Sequence, residues 1–332
     1  MEQKRLEPMG VGGLLDRSFA VYRQHFATFF LLALILFAPL MLLQEALMSD
    51  MGSMPLLASD NESDSFEEFL QNRFLGSDQP VTEDPIKLLL FLLLLIPISL
   101  FVVYPQMQGA SLLITKGAVY GEPITLKAAL KQSFSRFWPM AGSTFVYGLI
   151  VLGIMIGFML VIGLLSVLGI GVGGLLMPDL DSFNPVLMIL LFILLYLLFI
   201  LVIVLLPGYF LLRWAFYLPV VLIERDGIGI GRSWRLTKGK FWRLVALYIV
   251  LTVIYTIFSG GIQALLIAVF GVSVLGQLLL VLFTCLLVPW MMIVYALTYL
   301  DLKVRYDGTD VEALLQVQTE PVMTNEKPDE RP

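Results

Sequence analysis

The residues of this sequence that could do chemistry are mostly basic, and they cluster in three short segments. They are Arg17, Arg23, Lys127, Lys131, Arg232, Arg235, Lys238, Lys240 and Arg243. Apolar residues recur beside them at helical spacing, as in Leu15, Phe19 and Tyr22. Such a helix lies in a membrane interface, with its cations toward anionic head groups. We therefore predict contacts with anionic lipids or with a membrane protein partner. Topology and anchoring alone are the alternative interpretation.

Groups suited to catalysis are scarce. The chain has one histidine, His25, and one cysteine, Cys285, so neither an imidazole pair nor an intramolecular disulfide can form. Residues 60–64 resemble a calcium loop, but Ser65 stands where that loop needs glycine. No pair of acids lies inside the apolar segments. We predict no enzyme activity, no metal site, no cofactor and no nucleic-acid partner.

The composition is typical of a membrane protein. Of the 332 residues, 58% are hydrophobic and 14% are charged, and the mean hydropathy is +0.89. A soluble domain of this size would need more charge on its surface. Several apolar stretches exceed about 20 residues, the length that crosses a hydrocarbon core of about 30 Å. We therefore predict an all-α fold, a polytopic transmembrane helical bundle.

Six spans are expected, arranged as three hairpins that each follow an amphipathic interfacial helix on the cytoplasmic side. The spans cover about residues 26–48, 88–114, 139–166, 187–212, 244–270 and 276–299. The Gly-rich residues 167–177 could form a re-entrant piece. The predicted domains are a cytoplasmic leader over residues 1–25, a membrane domain over 26–300 and a partly disordered cytoplasmic tail over 301–332.

The distribution of charge predicts the orientation. Lysine and arginine gather in the leader, in loops 116–138 and 213–243 and in the tail, whereas loop 49–86 carries nine acids. Segments rich in Lys and Arg stay in the cytoplasm. We expect a multi-pass protein of a bacterial cell membrane, with both termini in the cytoplasm and the acidic loop outside, where it is expected to be poorly ordered.

A threefold pattern runs through the chain. A serine followed by an aromatic residue precedes the first, third and fifth spans: Ser18-Phe19, Ser133-Phe134 and Ser233-Trp234. The returning span of each hairpin contains proline, at Pro97 and Pro105, Pro207 and Pro289. This pattern predicts three repeats of interfacial helix, span, outer loop and span. The alternative is that common topology rules created the likeness by convergence.

Small and polar residues inside the spans predict packing contacts. Gly153 and Gly157 form a GxxxG motif, which lets helices approach closely, and we expect this contact within the monomer rather than in a dimer. Glu45 and Arg213 lie near span ends and are expected to reach water by snorkelling. Four glutamines are expected to bond across helices, or else to line a polar path: Gln106, Gln108, Gln263 and Gln277.

Three stretches carry a resemblance to a known family. They are residues 14–26 (LLDRSFAVYRQHF), 232–242 (RSWRLTKGKFW) and 299–308 (YLDLKVRYDG). Over about residues 10–310 the chain resembles the membrane domain of the glycerophosphoryl diester phosphodiesterase family. In that family hydrolysis belongs to a separate α/β barrel of about 250 residues. We expect that barrel to be absent, because only about thirty residues follow the last span. The resemblance implies a stand-alone membrane module, whose role in the family is unassigned.

The sequence thus predicts a non-catalytic membrane protein that organises lipids or partner proteins through a basic cytoplasmic rim. Two alternatives stay open: an uncoupled transporter or flippase-like conduit, and a membrane accessory of a separate hydrolase. A deep cavity lined by the glutamines and prolines would favour the conduit. A closed, tightly packed bundle would favour the lipid-organising module.

Reporter fusions test the orientation. Fusions after residues 65, 125, 235 and 320 should report outside, inside, inside and inside, because the cation-rich segments are retained in the cytoplasm. An outside signal at residue 125 or 235 would contradict the predicted topology.

Overall fold

The computed structural model describes residues 8–48, 55–57, 84–176, 185–271 and 273–319. All regular elements of these residues are helical, so the all-α prediction is confirmed. Among the described residues, six helices are long and apolar enough to cross a membrane, the number that the sequence predicted, although the fourth, Leu205–Glu224, begins and ends later than the expected 187–212. Most of the acidic loop 49–86, the first seven residues and the end of the tail lie outside the described residues.

The elements follow one another in a simple order. The α-helices are α1 Val11–Gln24, α2 Phe26–Leu36, α3 Ala38–Met48, α4 Pro85–Leu90, α5 Ile96–Ile98, α6 Tyr104–Tyr120, α7 Leu126–Phe134, α8 Phe137–Leu176, α9 Pro185–Trp214, α10 Tyr217–Pro219, α11 Ile230–Leu236, α12 Phe241–Phe270 and α13 Val274–Thr319. Three π-helical segments lie between them: Phe91–Leu95, Ser99–Val103 and Val220–Glu224. The short helices α1, α7 and α11 each precede a candidate span: Phe26–Met48, Phe137–Leu164 and Phe241–Phe270.

The second candidate span, Pro85–Tyr120, alternates between α and π geometry. Its two π segments lie on either side of Pro97, and the second leads directly to Pro105. Proline has no N–H to donate to the preceding turn, and its ring crowds the carbonyl there. A π turn widens the helix locally and accommodates this gap. The π segments are therefore the form that the irregularity takes at these prolines.

Two helices run further than expected. Helix α8 has 40 residues and continues through the Gly-rich residues to Leu176, so those residues extend a helix instead of forming a separate re-entrant piece. Helix α13 has 46 residues and continues to Thr319. It therefore carries helical structure into the segment that the sequence assigned to the cytoplasmic tail.

The core forms where α6, the segment after α9 and α13 meet. Helix α6 contacts α13, α1 and α2 lie against α13, and α7 lies against α6. Phe216, after α9, is fully buried and stacks on Tyr295 of α13, with 5.2 Å between the ring centres. By contrast, α8 and α12 present large apolar side chains outward, such as Met159 and Ile257, which are 76% and 66% exposed. A surface of this kind is stable in contact with lipid but not with water.

A glycine turn attaches α7 to α6. Gly121 ends α6 with a φ of +79°, a left-handed conformation that favours glycine. The N–H of Glu122 donates to the carbonyl oxygen of Gly117 at 2.8 Å. A side chain on Gly117 would collide with the carbonyl oxygen of Glu122. Thr125 then caps α7 by accepting a hydrogen bond from the N–H of Ala128.

The GxxxG motif makes no helix contact within the described part of the chain. Gly153 and Gly157 are both exposed on α8, and a Cβ added to either would meet nothing within 4 Å. The packing contact expected within the monomer is therefore not found among the described residues. A small-residue motif shows that a close approach is possible, but not that a helix takes that position.

Two alanine substitutions test the glycine turn. Gly117→Ala should lower the free energy of unfolding by about 1–3 kcal/mol, because the new methyl group pushes on backbone that cannot move away cheaply. The matched control is Gly157→Ala, in the open middle of a helix, which should leave stability unchanged or raise it by up to about 1 kcal/mol. Thermal unfolding of both variants in one detergent is the measurement. Equal effects would contradict the described turn.

Candidate functional site

The serine of each predicted repeat is fully buried: Ser18, Ser133 and Ser233 are each 0% exposed. Ser18, on α1, accepts a hydrogen bond at 2.9 Å from the indole N–H of Trp290, on α13. Ser133, on α7, donates to the side-chain oxygen of Gln106, on α6, at 2.7 Å. A buried hydroxyl needs such a partner, so these bonds fix how the short helices lie on the long ones.

Ser233, on α11, makes the corresponding contact with the end of α9. Its hydroxyl donates to the carbonyl oxygen of Arg213 at 2.9 Å and accepts the N–H of Phe216 at 3.2 Å. Thr237 also donates to the carbonyl oxygen of Arg213, at 3.2 Å. The last turn of α9 leaves carbonyl groups without helical partners, and these two hydroxyls satisfy one of them. Each short helix is thus attached by the serine that the sequence pattern singled out.

The buried face of α1 differs from the predicted apolar stripe. The structure buries Leu14, Ser18 and Val21, whereas Phe19 is 50% exposed. The predicted stripe of Leu15, Phe19 and Tyr22 lies one residue round the helix from this buried face, and Leu15 and Tyr22 pack against the core from there. Tyr22 donates to the carbonyl oxygen of Leu286 at 2.6 Å. Burial raises the pKa of Tyr22 to about 12, so its hydroxyl stays protonated and remains a donor at neutral pH.

An ion pair centred on Asp301 joins three distant segments. The carboxylate of Asp301 is fully buried and accepts from Arg243 Nη1 at 2.6 Å, from Arg305 Nε at 3.0 Å and from the N–H of Met9 at 2.8 Å. The carbonyl oxygen of Met9 accepts from both guanidinium groups in turn. The segment before α1, the start of α12 and the middle of α13 therefore meet at one carboxylate.

A second carboxylate, Glu224, joins residues of α11 and α13. It accepts from Arg232 Nε and from the hydroxyl of Tyr299, each at 2.8 Å, and Lys303 Nζ lies 3.7 Å away. The guanidinium of Arg232 also lies over the ring of Tyr306, 4.5 Å from its centre. Burial works to lower the pKa of Arg232, but the hydrogen bond and the charge of Glu224 outweigh it, so that pKa is raised. Arg232 stays cationic.

Sequence reasoning missed both acids. Asp301 and Arg305 are four residues apart on a helix, a spacing that brings their side chains together. The stretch 299–308 also supported the family resemblance, yet its acid was not assigned a role. Acids within segments that carry mainly cations, as Glu224 and Asp301 do, are the signal that could have revealed internal ion pairs.

Arg213 is a buried cation without a carboxylate partner. It is 7% exposed, and its Nη atoms donate to the hydroxyl of Tyr209 at 2.6 Å and to the carbonyl oxygen of Trp234 at 2.8 Å. Its guanidinium lies 3.7 Å from the centre of the Trp234 ring, and its Nε has no partner. Within the described part of the chain no carboxylate lies at ion-pair distance from it. The expectation that Arg213 snorkels to water is wrong, because Trp234 of α11 covers it.

The other predicted cations divide into two groups. Arg232 and Arg243 form the internal ion pairs described above. Seven have no ion pair with any described residue: Arg17, Arg23, Lys127, Lys131, Arg235, Lys238 and Lys240. Arg17 and Lys240 are half-buried and the other five are exposed. We call the end of the bundle that carries α1, α7, α11 and these seven cations the basic face.

The basic face has an excess of positive charge. The segments 8–25, 115–140, 213–243 and 299–308 contain fifteen Lys and Arg residues but six Asp and Glu residues. Of those acids, Asp301 is buried and Glu224 is engaged in the internal ion pairs. Trp138 and Trp242 lie next to the cations and are 81% and 71% exposed. Exposed tryptophan beside lysine and arginine is typical of the level of lipid head groups.

The four glutamines do not form one path in the part of the chain that the structure describes. Gln106 and Gln108 are buried within the helix packing. Gln263 and Gln277 line a cavity of about 140 Å³ together with Glu45, where α12 ends and α13 begins. This cavity lies at the end of α12 remote from the basic face.

One family covers most of these residues. The family described as Domain of unknown function (DUF7847) matches residues 81–302. The chain belongs to this family. No curated protein matches the chain, and no solved structure matches it.

The DUF7847 match includes the acids of both ion pairs, Glu224 and Asp301, and the buried Arg213. It ends before Arg305 and begins after Met9 and Ser18. Helix α1, which packs on α13, and Met9, which donates to Asp301, therefore lie outside the matched residues.

Removing the charge of Glu224 tests the second ion pair. Glu224→Gln should lower the free energy of unfolding by about 1–3 kcal/mol, because Arg232 loses a charge-assisted hydrogen bond. Asp226→Asn, two residues away and exposed, is the matched control and should change stability by less than about 0.5 kcal/mol. Thermal unfolding in detergent checks both variants. A control as destabilised as Glu224→Gln would count against the described network.

Proposed function

We propose that this DUF7847 protein is a non-catalytic module of a bacterial cell membrane that gathers anionic lipids at its basic face. One observation carries the proposal: five exposed cations of this face have no ion pair with a described residue, while its two paired acids, Glu224 and Asp301, lie within it. The internal ion pairs use only part of the positive charge. The remainder is available to ligands that carry negative charge.

The proposed orientation places the basic face in the cytoplasm, where anionic lipids create a negative surface potential. Each cation near such a surface contributes about 1 kcal/mol of binding free energy. That contribution decreases with distance from the surface and is largely screened beyond a Debye length of about 8 Å at physiological salt. Trp138 and Trp242 support this placement, because tryptophan anchors proteins at the interface.

We also propose that the three predicted repeats are real and closed into a ring. Ser133 and Ser233 each attach a short helix to the long helix that comes just before it in the chain. Ser18 attaches α1, the first described helix, to α13, the last described one. Three buried serines that attach the short helices in this cyclic order support a threefold arrangement, with each interfacial helix at the start of a hairpin.

The packing favours this function over a conduit. Two of the four glutamines are buried between packed helices, and the other two line a small cavity at the far end of α12. A transport path would need these polar groups to line one continuous space. The proposed family relationship to phosphodiesterase membrane domains is compatible with either role.

Tryptophan quenching by brominated lipids tests the proposed function. Trp138 and Trp242 are exposed beside the cations, so a brominated lipid that is enriched there quenches their fluorescence. In mixed vesicles, brominated phosphatidylglycerol should quench the protein more than brominated phosphatidylcholine, with a relative affinity of about fivefold for each cation engaged. High salt should reduce that preference.

A charge-neutral variant and a matched control sharpen the test. Replacing the five exposed cations together by glutamine, at Arg23, Lys127, Lys131, Arg235 and Lys238, should bring the two lipids to equal quenching. Exchanging Lys for Arg and Arg for Lys at the same positions should keep the preference, because the charge is unchanged. A wild-type protein quenched equally by both lipids would refute the proposed function.

A further inference from the structure

An apolar groove runs along the outside of the bundle between α9 and α12. It has a volume of about 290 Å³ and is lined by Leu212, Val245, Tyr248, Ile249, Thr252 and Val253. From Val245 to Val253 it extends about 12 Å along the helix axis, at 1.5 Å per residue. Ile249 and Val253 are 58% and 51% exposed. The groove is therefore open toward the acyl chains of the surrounding membrane.

Aromatic residues and cations stand at the end of the groove that points to the basic face. Tyr209 of α9 meets Phe241 of α12 there, with 4.9 Å between ring centres. Lys240, the residue before α12, lies five residues before Val245, or about 7.5 Å along the axis. Arg235 and Lys238 are exposed close to it in the chain, and none of the three has an ion pair among the described residues.

Beneath these cations lies Arg213, next in sequence to Leu212 of the groove. A buried cation is costly unless an anion compensates it, and the described chain supplies no carboxylate to Arg213. The hydroxyl of Tyr209 and the face of Trp234 stabilise the guanidinium but do not neutralise it. Its positive charge adds to that of the exposed cations above. A ligand with negative charge would neutralise it, and no carboxylate of the described chain does so.

We propose that this groove and its cations form a specific site for one anionic diacyl phospholipid. One acyl chain lies in the groove, the phosphate lies at Arg235, Lys238 and Lys240, and its charge compensates the buried Arg213. The site deepens the proposed function, on which it rests, by distinguishing one bound lipid from general enrichment at the basic face. The lipid is a better occupant than a free phosphate, since only a lipid joins an anion to a chain that fills the apolar groove.

Photo-crosslinking in nanodiscs tests the site directly. The probes are phosphatidylglycerol and phosphatidylcholine, each with a photoreactive group on one acyl chain, and the crosslinked peptides are mapped by mass spectrometry. The anionic probe should label residues 245–253 at least about fivefold more than the zwitterionic probe. Excess unlabelled phosphatidylglycerol should compete this labelling away, whereas phosphatidylcholine should not. Equal labelling by both probes would overturn the site.

Two pairs of variants test the apolar groove and its cations separately. Ile249→Trp should fill the groove and reduce labelling of residues 245–253 several-fold, whereas Ile257→Trp, on the same helix outside the groove, should not. Replacing Arg235, Lys238 and Lys240 by glutamine should abolish the head-group preference, whereas replacing Lys127 and Lys131 of α7 should leave it. Unchanged labelling in Ile249→Trp would also overturn the site.

The results distinguish the failure of this site from the failure of the proposed function. If phosphatidylglycerol quenches Trp138 and Trp242 preferentially but both probes label the groove equally, the specific site is wrong and the proposed function stands. If quenching shows no preference, the proposed function fails whatever the groove binds. If the variants do not fold, the competition experiment on the wild-type protein still decides the point.

Discussion

The arrangement of the basic face depends on the burial of one carboxylate between two guanidinium groups. Asp301 is fully buried, and Arg243, Arg305 and the N–H of Met9 supply its partners. A buried charge that loses its partner destabilises a protein by several kcal/mol, so the three segments that carry these groups are held together strongly. The segment before α1, the start of α12 and the middle of α13 consequently share one position at the end of the bundle.

This internal neutralisation explains why the outside of the same face is so basic. Glu224 and Asp301 are engaged by Arg232, Arg243 and Arg305, so they do little to offset the remaining cations. The buried serines have a related effect, since they attach the short helices by one face and leave the lysines and arginines of the other face outward. The proposed function places this face against an anionic membrane surface, which attracts such cations. At the proposed lipid site the excess of positive charge extends from the surface into the protein, to the buried Arg213.

Much of the fold followed from the sequence, whereas the site followed only in part. The six apolar helices were predictable because helix length and hydrophobicity are local properties. The predicted helix contact at Gly153 was not found among the described residues, and the prediction that Arg213 reaches water was wrong. Both features depend on which helix lies nearby, which local sequence does not determine. Asp301 was overlooked because a lone acid in a basic segment is usually solvated. The serine pattern indicated a repeat, but the structure was needed to show that Ser18 bonds to Trp290, near the other end of the chain.

A double-mutant cycle between Arg243 and Asp301 tests the central claim most directly. Unfolding free energies are measured in one detergent for the wild type, Arg243→Gln, Asp301→Asn and the double variant. Each single variant should lose about 3 kcal/mol. The double variant should lose hardly more than either, which gives a coupling energy of at least about 1.5 kcal/mol. Losses that simply add would contradict the account, since they would mean that these two charges do not hold each other inside the protein.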